Sequence, residues 1–295
     1  MAQILDPGSI VVDDWHRSAD SREFFSRILH KKKRRNFGLL EAPVMPPNVS
    51  VDTVHYKIFI SGKSGVGKSV LAARLTGLKI PNMHYETTGI ETSVVYWPVK
   101  LRESGRVLFF RLQLWDCGEN ALRRFDHLLP VGLEYHKLAH PYNNKMALNC
   151  TDSVILEKIY LIPIFLCVFQ SCKEQVDAIL FLFSFTDRVS FDDLTNQIAR
   201  GTELCDRVVK LVVGTKFDLF THTDVTEREV TRFQEVSGLP VFRMGGDVTN
   251  ASNLGEVAPL LNCLAEHLWH QDCVAAMAPA IPTHPESAVY MKSTV

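Results

Sequence analysis

The 295 residues are 46% hydrophobic and 22% charged, a balance that excludes disorder throughout and supplies enough apolar material for a sizeable core. Thirty-two Lys and Arg stand against 33 Asp and Glu, a net charge of -1, which excludes bulk attraction to nucleic acid or to an acidic membrane as the organising interaction. The seven cysteines form no C-x-x-C pair, against zinc and dithiol redox sites, and suit a reducing cytoplasm.

Residues 1–54 read as an N-terminal extension. The opening MAQILDPGSIVVDDWH has acidic residues and no long apolar stretch, so neither a secretory signal nor a transit peptide is expected. Ala2 excludes myristoylation and the ending MKSTV holds no prenylation box, so no lipid anchor or transmembrane span is expected. Within the extension SREFFSRILHKKKRR predicts a short amphipathic, basic helix, with Phe24, Phe25, Ile28 and Leu29 spaced to cover the domain core or a partner. The run Lys31 to Arg35 is either a solvated helix face or a contact for acidic phospholipid or an import receptor.

From His55 to about residue 270 strand-like and helix-like blocks alternate. HYKIFIS, ETSVVYWPVKL, RVLFFRLQLW, AILFLFSFT, VVKLVVGT and LPVFRM read as strands. VLAARLTGL, ALRRFDHLL, FDDLTNQIARGTEL, TEREVTRFQEVSG and LGEVAPLLNCLAEHLWH read as helices. Nearly continuous apolar strands between helices predict an α/β fold, a six-stranded mostly parallel sheet with helices on both faces. Residues 271–295 read as a flexible tail.

Two motifs carry the chemistry. Directly after the strand HYKIFIS stands Gly62-Lys63-Ser64-Gly65-Val66-Gly67-Lys68-Ser69, a full G-x-x-x-x-G-K-[ST] match that opens a helix at Val70. Backbone N–H groups from Ser64 to Val70 and the helix N-terminus suit phosphate, Lys68 reaches the β- and γ-phosphates, and Ser69 offers a hydroxyl to Mg²⁺. At the end of the strand VVKLVVGT stands Thr215-Lys216-Phe217-Asp218, the [NT]-K-x-D pattern. The Asp218 carboxylate can accept from the N1–H and exocyclic amine of guanine, which adenine cannot donate, while the Lys216 stem lies over the ring.

With these motifs the chain resembles the Ras superfamily and its Rab-like branch over about residues 55–270. The resemblance implies a P-loop G domain that binds GTP or GDP with Mg²⁺. Glu86-Thr87-Thr88-Gly89-Ile90-Glu91 is similar to the Rab pattern T-x-G-[IV]-[DE], which implies Thr87 as a second Mg²⁺ ligand, with Thr88 a neighbouring rival. His84 falls where the family often places an aromatic over the phosphates. Trp115-Asp116-Cys117-Gly118-Glu119-Asn120 resembles W-D-x-x-G-Q, which implies Asp116 on a Mg²⁺ water and Asn120 as the candidate for orienting the attacking water. Glu119 replaces the family's Gly and Asn120 its Gln, so slow intrinsic hydrolysis is expected. The family's last guanine-contacting motif should follow LPVFRM, where the chain reads GGDVTNASN.

SGKSGVGKS, HYETTGIETSVVYWP, LWDCGENALRRFDHLL and LFLFSFTDRVSFDDL, with the N-terminal VVDDWHRSADSREFFSRILHKKKRRNFGLLEAPV, resemble more closely the Rab-like small GTPases of ciliogenesis and planar polarity effector assemblies. That resemblance implies Fuzzy- and Inturned-type partner subunits, location in the cytoplasm and cytoskeleton at the ciliary basal body, and a role in cargo transport and targeted exocytosis. The rival readings are a binding module that holds GTP as a structural cofactor and a phosphotransferase, in which TKFD would have no role.

Residues 131–171 break the rhythm. Asp116 and Asp218 are 102 positions apart, where two helices, two strands and their loops need roughly 50–60. The block includes the apolar run IYLIPIFLCVF, shorter than the roughly 20 residues that span a bilayer. It starts at Val131, whose codons begin GT, and holds Gln170, one of whose codons is CAG, letters that fit splice boundaries. The block is either a translated intron or a genuine partner-binding loop.

Overall fold

The computed structural model describes residues 10–28, 40–44, 51–78, 80, 86–87, 89–118, 176–204, 208–245 and 254–277. Six strands form one sheet: β1 (Asp52–Ser61), β2 (Ile90–Lys100), β3 (Val107–Cys117), β4 (Ala178–Ser184), β5 (Val209–Thr215) and β6 (Val241–Arg243), in the order β2-β3-β1-β4-β5-β6. The β2–β3 pair is antiparallel and the other pairings are parallel. Pro98 sits in β2, an edge strand, where a missing N–H costs no ladder bond on the open side.

Every residue of β4 is buried, as a central parallel strand covered on both faces requires. Its alternation divides the core. Ala178, Leu180 and Leu182 join Ile58, Ile60, Leu112, Leu211 and Val213 under α2 (Lys68–Thr76) and the long C-terminal helix Leu254–Met277. Ile179, Phe181 and Phe183 face the other way, with Phe59, Val212, Leu194, Val225 and Val230. The helices on that side are α3 (Arg188–Asp192), α4 (Leu194–Leu204) and α5 (Glu227–Ser237); the C-terminal helix is α6.

Local signals explain most boundaries. FDDLTNQIARGTEL, read as one helix, begins earlier and is divided: Asp187 accepts from the N–H groups of Val189 and Ser190 to start α3, and α3 stops at Asp193. Thr226 and Glu229 form a reciprocal capping box on α5, and Gly238 closes it. The Thr226 N–H, then Arg188, hold the Glu229 carboxyl down at about 2. Helix α6 runs past residue 270 to Met277, and Tyr56 Oη donates to Asp272 Oδ2 at 2.6 Å from β1.

The extension is built into the domain. Its helix α1 (Ala19–Ser26) starts at Ser18, whose hydroxyl accepts from Ser21 N–H. Trp15, Phe25 and Ile28 are buried against Phe109 of β3. Ahead of α1, Val12 N–H donates to Lys100 O at 3.0 Å and Arg102 N–H to Ile10 O at 2.8 Å. The remaining amides, Ile10 and Val11, donate to the two oxygens of Glu266 on α6, each at 2.8 Å, and Glu266 is only 6% exposed. Asn262 completes the seam: its Oδ1 accepts from Trp97 Nε1 at 2.8 Å and its Nδ2 donates to Asp13 O at 2.6 Å. Leu29 and the basic run lie outside the described residues. Among those described, no helix is long and apolar enough to cross a membrane.

Candidate functional site

The C-terminal ends of β1, β3, β4 and β5 open on one edge of the sheet, the position where parallel α/β sheets place ligands. From β1 the chain turns through Gly62–Gly67 into α2. Lys68, nearly buried, folds back across that turn, and its ammonium donates to the carbonyls of Gly62 at 2.8 Å and Lys63 at 2.9 Å. Ser64, Gly65 and Val66 form the body of the loop, with Val66 buried, and Val70 lies in the first turn of α2, exposed at its side chain.

Ser69, Thr87 and Asp116 meet, although they come from three separate stretches. Ser69 Oγ lies 2.5 Å from Asp116 Oδ2 and 3.2 Å from Thr87 Oγ1. Asp116 is 2% exposed at the end of β3, opposite Ile60 of β1, and its second oxygen Oδ1 is buried with no hydrogen-bond partner among the described residues. A buried carboxylate oxygen left in this state is costly, and a hydrated hard cation beside two hydroxyls is the partner chemistry that fits it. Beyond Asp116, Gly118 N–H donates to Gly89 O at 3.1 Å. A Cβ at Gly118 would stand 1.8 Å from Thr87 O, so the glycine lets the two segments touch backbone to backbone.

The second motif lies beside the first. Thr215, buried at the end of β5, places its hydroxyl 2.5 Å from Val66 O and 3.1 Å from Phe183 O, tying the loop to β4 and β5. The chain then turns: Lys216 adopts φ 56°, and Leu219 N–H donates to Lys216 O at 3.1 Å. Phe217 packs on Phe185 with ring centroids 5.0 Å apart, and Asp218 is exposed. His84, Thr88, Glu119, Asn120 and the helix expected from ALRRFDHLL lie outside the described residues, as do 131–171 and 246–253 of GGDVTNASN.

A zebrafish (Danio rerio) protein named ciliogenesis and planar polarity effector 2 is 65% identical over 277 residues, covering 94% of this chain and 93% of its own length. The chain belongs to the ciliogenesis and planar polarity effector 2 family. The human (Homo sapiens) protein of that name is 46% identical over 298 residues, covering 98% of this chain and 99% of its own length. The Ras family model matches residues 165–253, and the sheet order and helices are those of a Ras-like α/β fold. Rab-like similarity is weaker: Ras-related protein Rab-1D of Dictyostelium discoideum is 23% identical over 203 residues, 68% of this chain and 74% of its own length. In this chain, sequence reasoning missed the Thr215 hydroxyl as a tie to Val66 and the contact of Gly118 with Thr87. The signal for the second was visible, a glycine one position early in DCGEN, but its reason is tertiary.

Proposed function

We propose that the chain is a guanine-nucleotide-binding subunit of ciliogenesis and planar polarity effector assemblies, with GTP as the ordering ligand. The observation that carries this reading is the convergence of Ser69, Thr87 and the buried, half-satisfied Asp116 beside a P-loop whose lysine is already folded over it. When bound, Mg²⁺ and the nucleotide phosphates supply the charge that these groups match. Ser69 and Thr87 would offer hydroxyls to the cation, and Asp116 would hold it through a water. Backbone N–H groups from Ser64 to Val70 hold the phosphates with Lys68. His84 shields the phosphates, the Lys216 stem covers the base, and Asp218 accepts from its N1–H and amine. Loading with GTP orders Thr87 together with residues 116–125, creating the surface that partners read.

The name carried by the relatives supports a ciliary and planar-polarity setting. Fuzzy- and Inturned-type subunits as partners, the basal body as location, and cargo transport with targeted exocytosis as output complete the proposal. A second reading, GTP held almost permanently as a structural cofactor, is favoured by Glu119 and Asn120 in place of the Gly and Gln that turnover needs.

The test is to purify the full chain, identify co-purifying nucleotide by chromatography, and measure affinity for GDP and GTP with and without Mg²⁺. We expect about one guanine nucleotide per chain and a loss of about a hundredfold or more in guanine affinity for Asp218→Asn. Asp116→Asn should weaken the Mg²⁺ dependence. Adenine nucleotide in the purified protein, or no nucleotide at all, would sink the proposal. Single-turnover hydrolysis separates the two readings: a rate well below the roughly 10⁻⁴ per second of Ras supports the cofactor reading, and Ras-like turnover supports a self-timing switch.

A further inference from the structure

The turn that carries Asp218 is braced from the side by a residue that no motif marks. Arg74 occupies the last turn of α2. Its Nη1 donates to Gly245 O at 2.9 Å and to Glu256 Oε2 of α6 at 3.0 Å. This ion pair is largely covered, with the Arg74 side chain 14% exposed and that of Glu256 33%. Gly245 presses on the base-reading turn, because a Cβ there would stand 2.3 Å from Asp218 N and 2.8 Å from Asp218 Oδ1. The residue before it is woven into the same turn: Met244 O accepts from Phe217 N–H at 3.1 Å, and Met244 N–H donates to Gly214 O at 2.8 Å. An unbroken line of contacts thus runs from Glu256 through Arg74 and Gly245 to Asp218.

We propose that Arg74, held by Glu256, is a positioning residue for guanine selection: it clamps the Met244–Gly245 backbone against the 215–218 turn and so fixes where the Asp218 carboxylate stands. The inference rests on the guanine-binding reading above. A carboxylate that accepts two parallel donors from one ring edge tolerates little displacement, and Asp218 is exposed, so burial does not hold it in place. What holds it is the backbone beside it. Gly245 has no side chain to wedge the two strands of chain apart, and the guanidinium holds its carbonyl. Lys68 and Ser69 lie at the opposite end of α2 from Arg74, about 8 Å along the axis at 1.5 Å per residue, so an effect on the base is separable from an effect on the phosphates.

The experiment compares dissociation of fluorescent GDP and IDP, the latter lacking the exocyclic amine, from the full chain and from Arg74→Met, Arg74→Lys and Glu256→Gln, with Mg²⁺ present. Hydrogen exchange at the Phe217 amide supplies a readout that needs no nucleotide. We expect Arg74→Met to lower the GDP-over-IDP preference by about threefold to tenfold and to speed exchange at Phe217, with Arg74→Lys and Glu256→Gln shifted less in the same direction. If Arg74→Met does not melt cooperatively, those two milder variants carry the comparison. An unchanged preference, with GDP and IDP both leaving faster by one factor, would make Arg74 a general prop of α2 and overturn the inference. Asp218→Asn keeps the two ideas apart: a wild-type chain that prefers GDP and loses that preference in Asp218→Asn upholds guanine reading whatever Arg74 does. A wild-type chain with no preference overturns both.

Discussion

Glu266→Gln should weaken the domain far more than a helix-surface glutamate normally would. The carboxylate is 6% exposed and each of its oxygens accepts one backbone N–H, from Ile10 and from Val11, at 2.8 Å. The amide keeps one acceptor and turns an NH₂ group toward the other N–H, so one charge-assisted bond is lost and two donors are left facing each other in a buried seam. Hydrogen bonds to charged groups contribute about 1.5–3 kcal/mol and an unmet buried donor costs about 1–3 more, so a loss of about 3 kcal/mol is expected. For a domain of this size that lowers Tm by roughly 6–12 °C. Urea unfolding followed by tryptophan fluorescence measures the free energy, and hydrogen exchange at Ile10 and Val11 locates it. Ile10→Pro removes one of the two donors, so on that background the NH₂ group has no N–H to oppose and Glu266→Gln should cost about 1.5 kcal/mol less. A cost below about 0.5 kcal/mol, typical of surface substitutions, would refute the reasoning, as would the same cost on both backgrounds.

Thr215→Val keeps the side-chain shape but removes the hydroxyl beside Val66 O and Phe183 O, and should speed nucleotide dissociation about fivefold; an unchanged rate in a displacement assay would show that the tie is idle. Gly118→Ala must push residue 118 away from Thr87 O, so exchange of the Gly118-position amide, now bonded to Gly89 O, should quicken, and protection equal to wild type would contradict the close contact. His16 gives a pH signature. Burial, with its ring tilted on Trp97, and then the neighbouring Arg17 charge hold its pKa below 6.5, outweighing the Asp13 backbone and Asp14, which pull the other way. The unfolded chain therefore binds more protons at His16 than the folded chain does, and the stability present above pH 6.5 is lost as pH falls through and below that value. His16→Gln should flatten the decline of Tm between pH 7.5 and 5.5, and an identical slope would refute the assignment.

The sheet and both motifs were legible because their signals are contiguous. β4 is apolar from Ala178 to Phe183 and β5 is nearly so, broken before its end only by Lys210, and the loop Gly62–Ser69 carries in one stretch the glycines, the lysine and the hydroxyl that a phosphate cradle needs. Thr87 was legible only through a family pattern, and its meeting with Ser69 and Asp116 depends on where β1 and β3 end side by side. What escaped has no local signature. Glu266 sits in LAEHLWH like any polar residue of an amphipathic helix, and its two partners lie more than 250 positions away. Arg74 reads as a helix-end cation and Gly245 as one of two glycines in a loop; their joint role appears only when α2, α6 and β6 are assembled. The single helix expected over FDDLTNQIARGTEL failed for a different reason: Asp187 stands ahead of that stretch, and its carboxylate starts a short helix of its own that ends inside it.

The clasp between the extension and α6 also sets an order of events during synthesis. At about 5–20 residues per second, Glu266 is made roughly 13–50 s after Val11. The aromatic half of the extension does not have to wait so long, because its partner Phe109 is translated in the first half of the chain. Trp15, Phe25 and Ile28 therefore have their apolar seat while the amides of Ile10 and Val11 still face water or chaperones. The carbonyl of Ile10 can meet Arg102 early, but the amides of Ile10 and Val11 are fastened only once the C-terminal helix has been made.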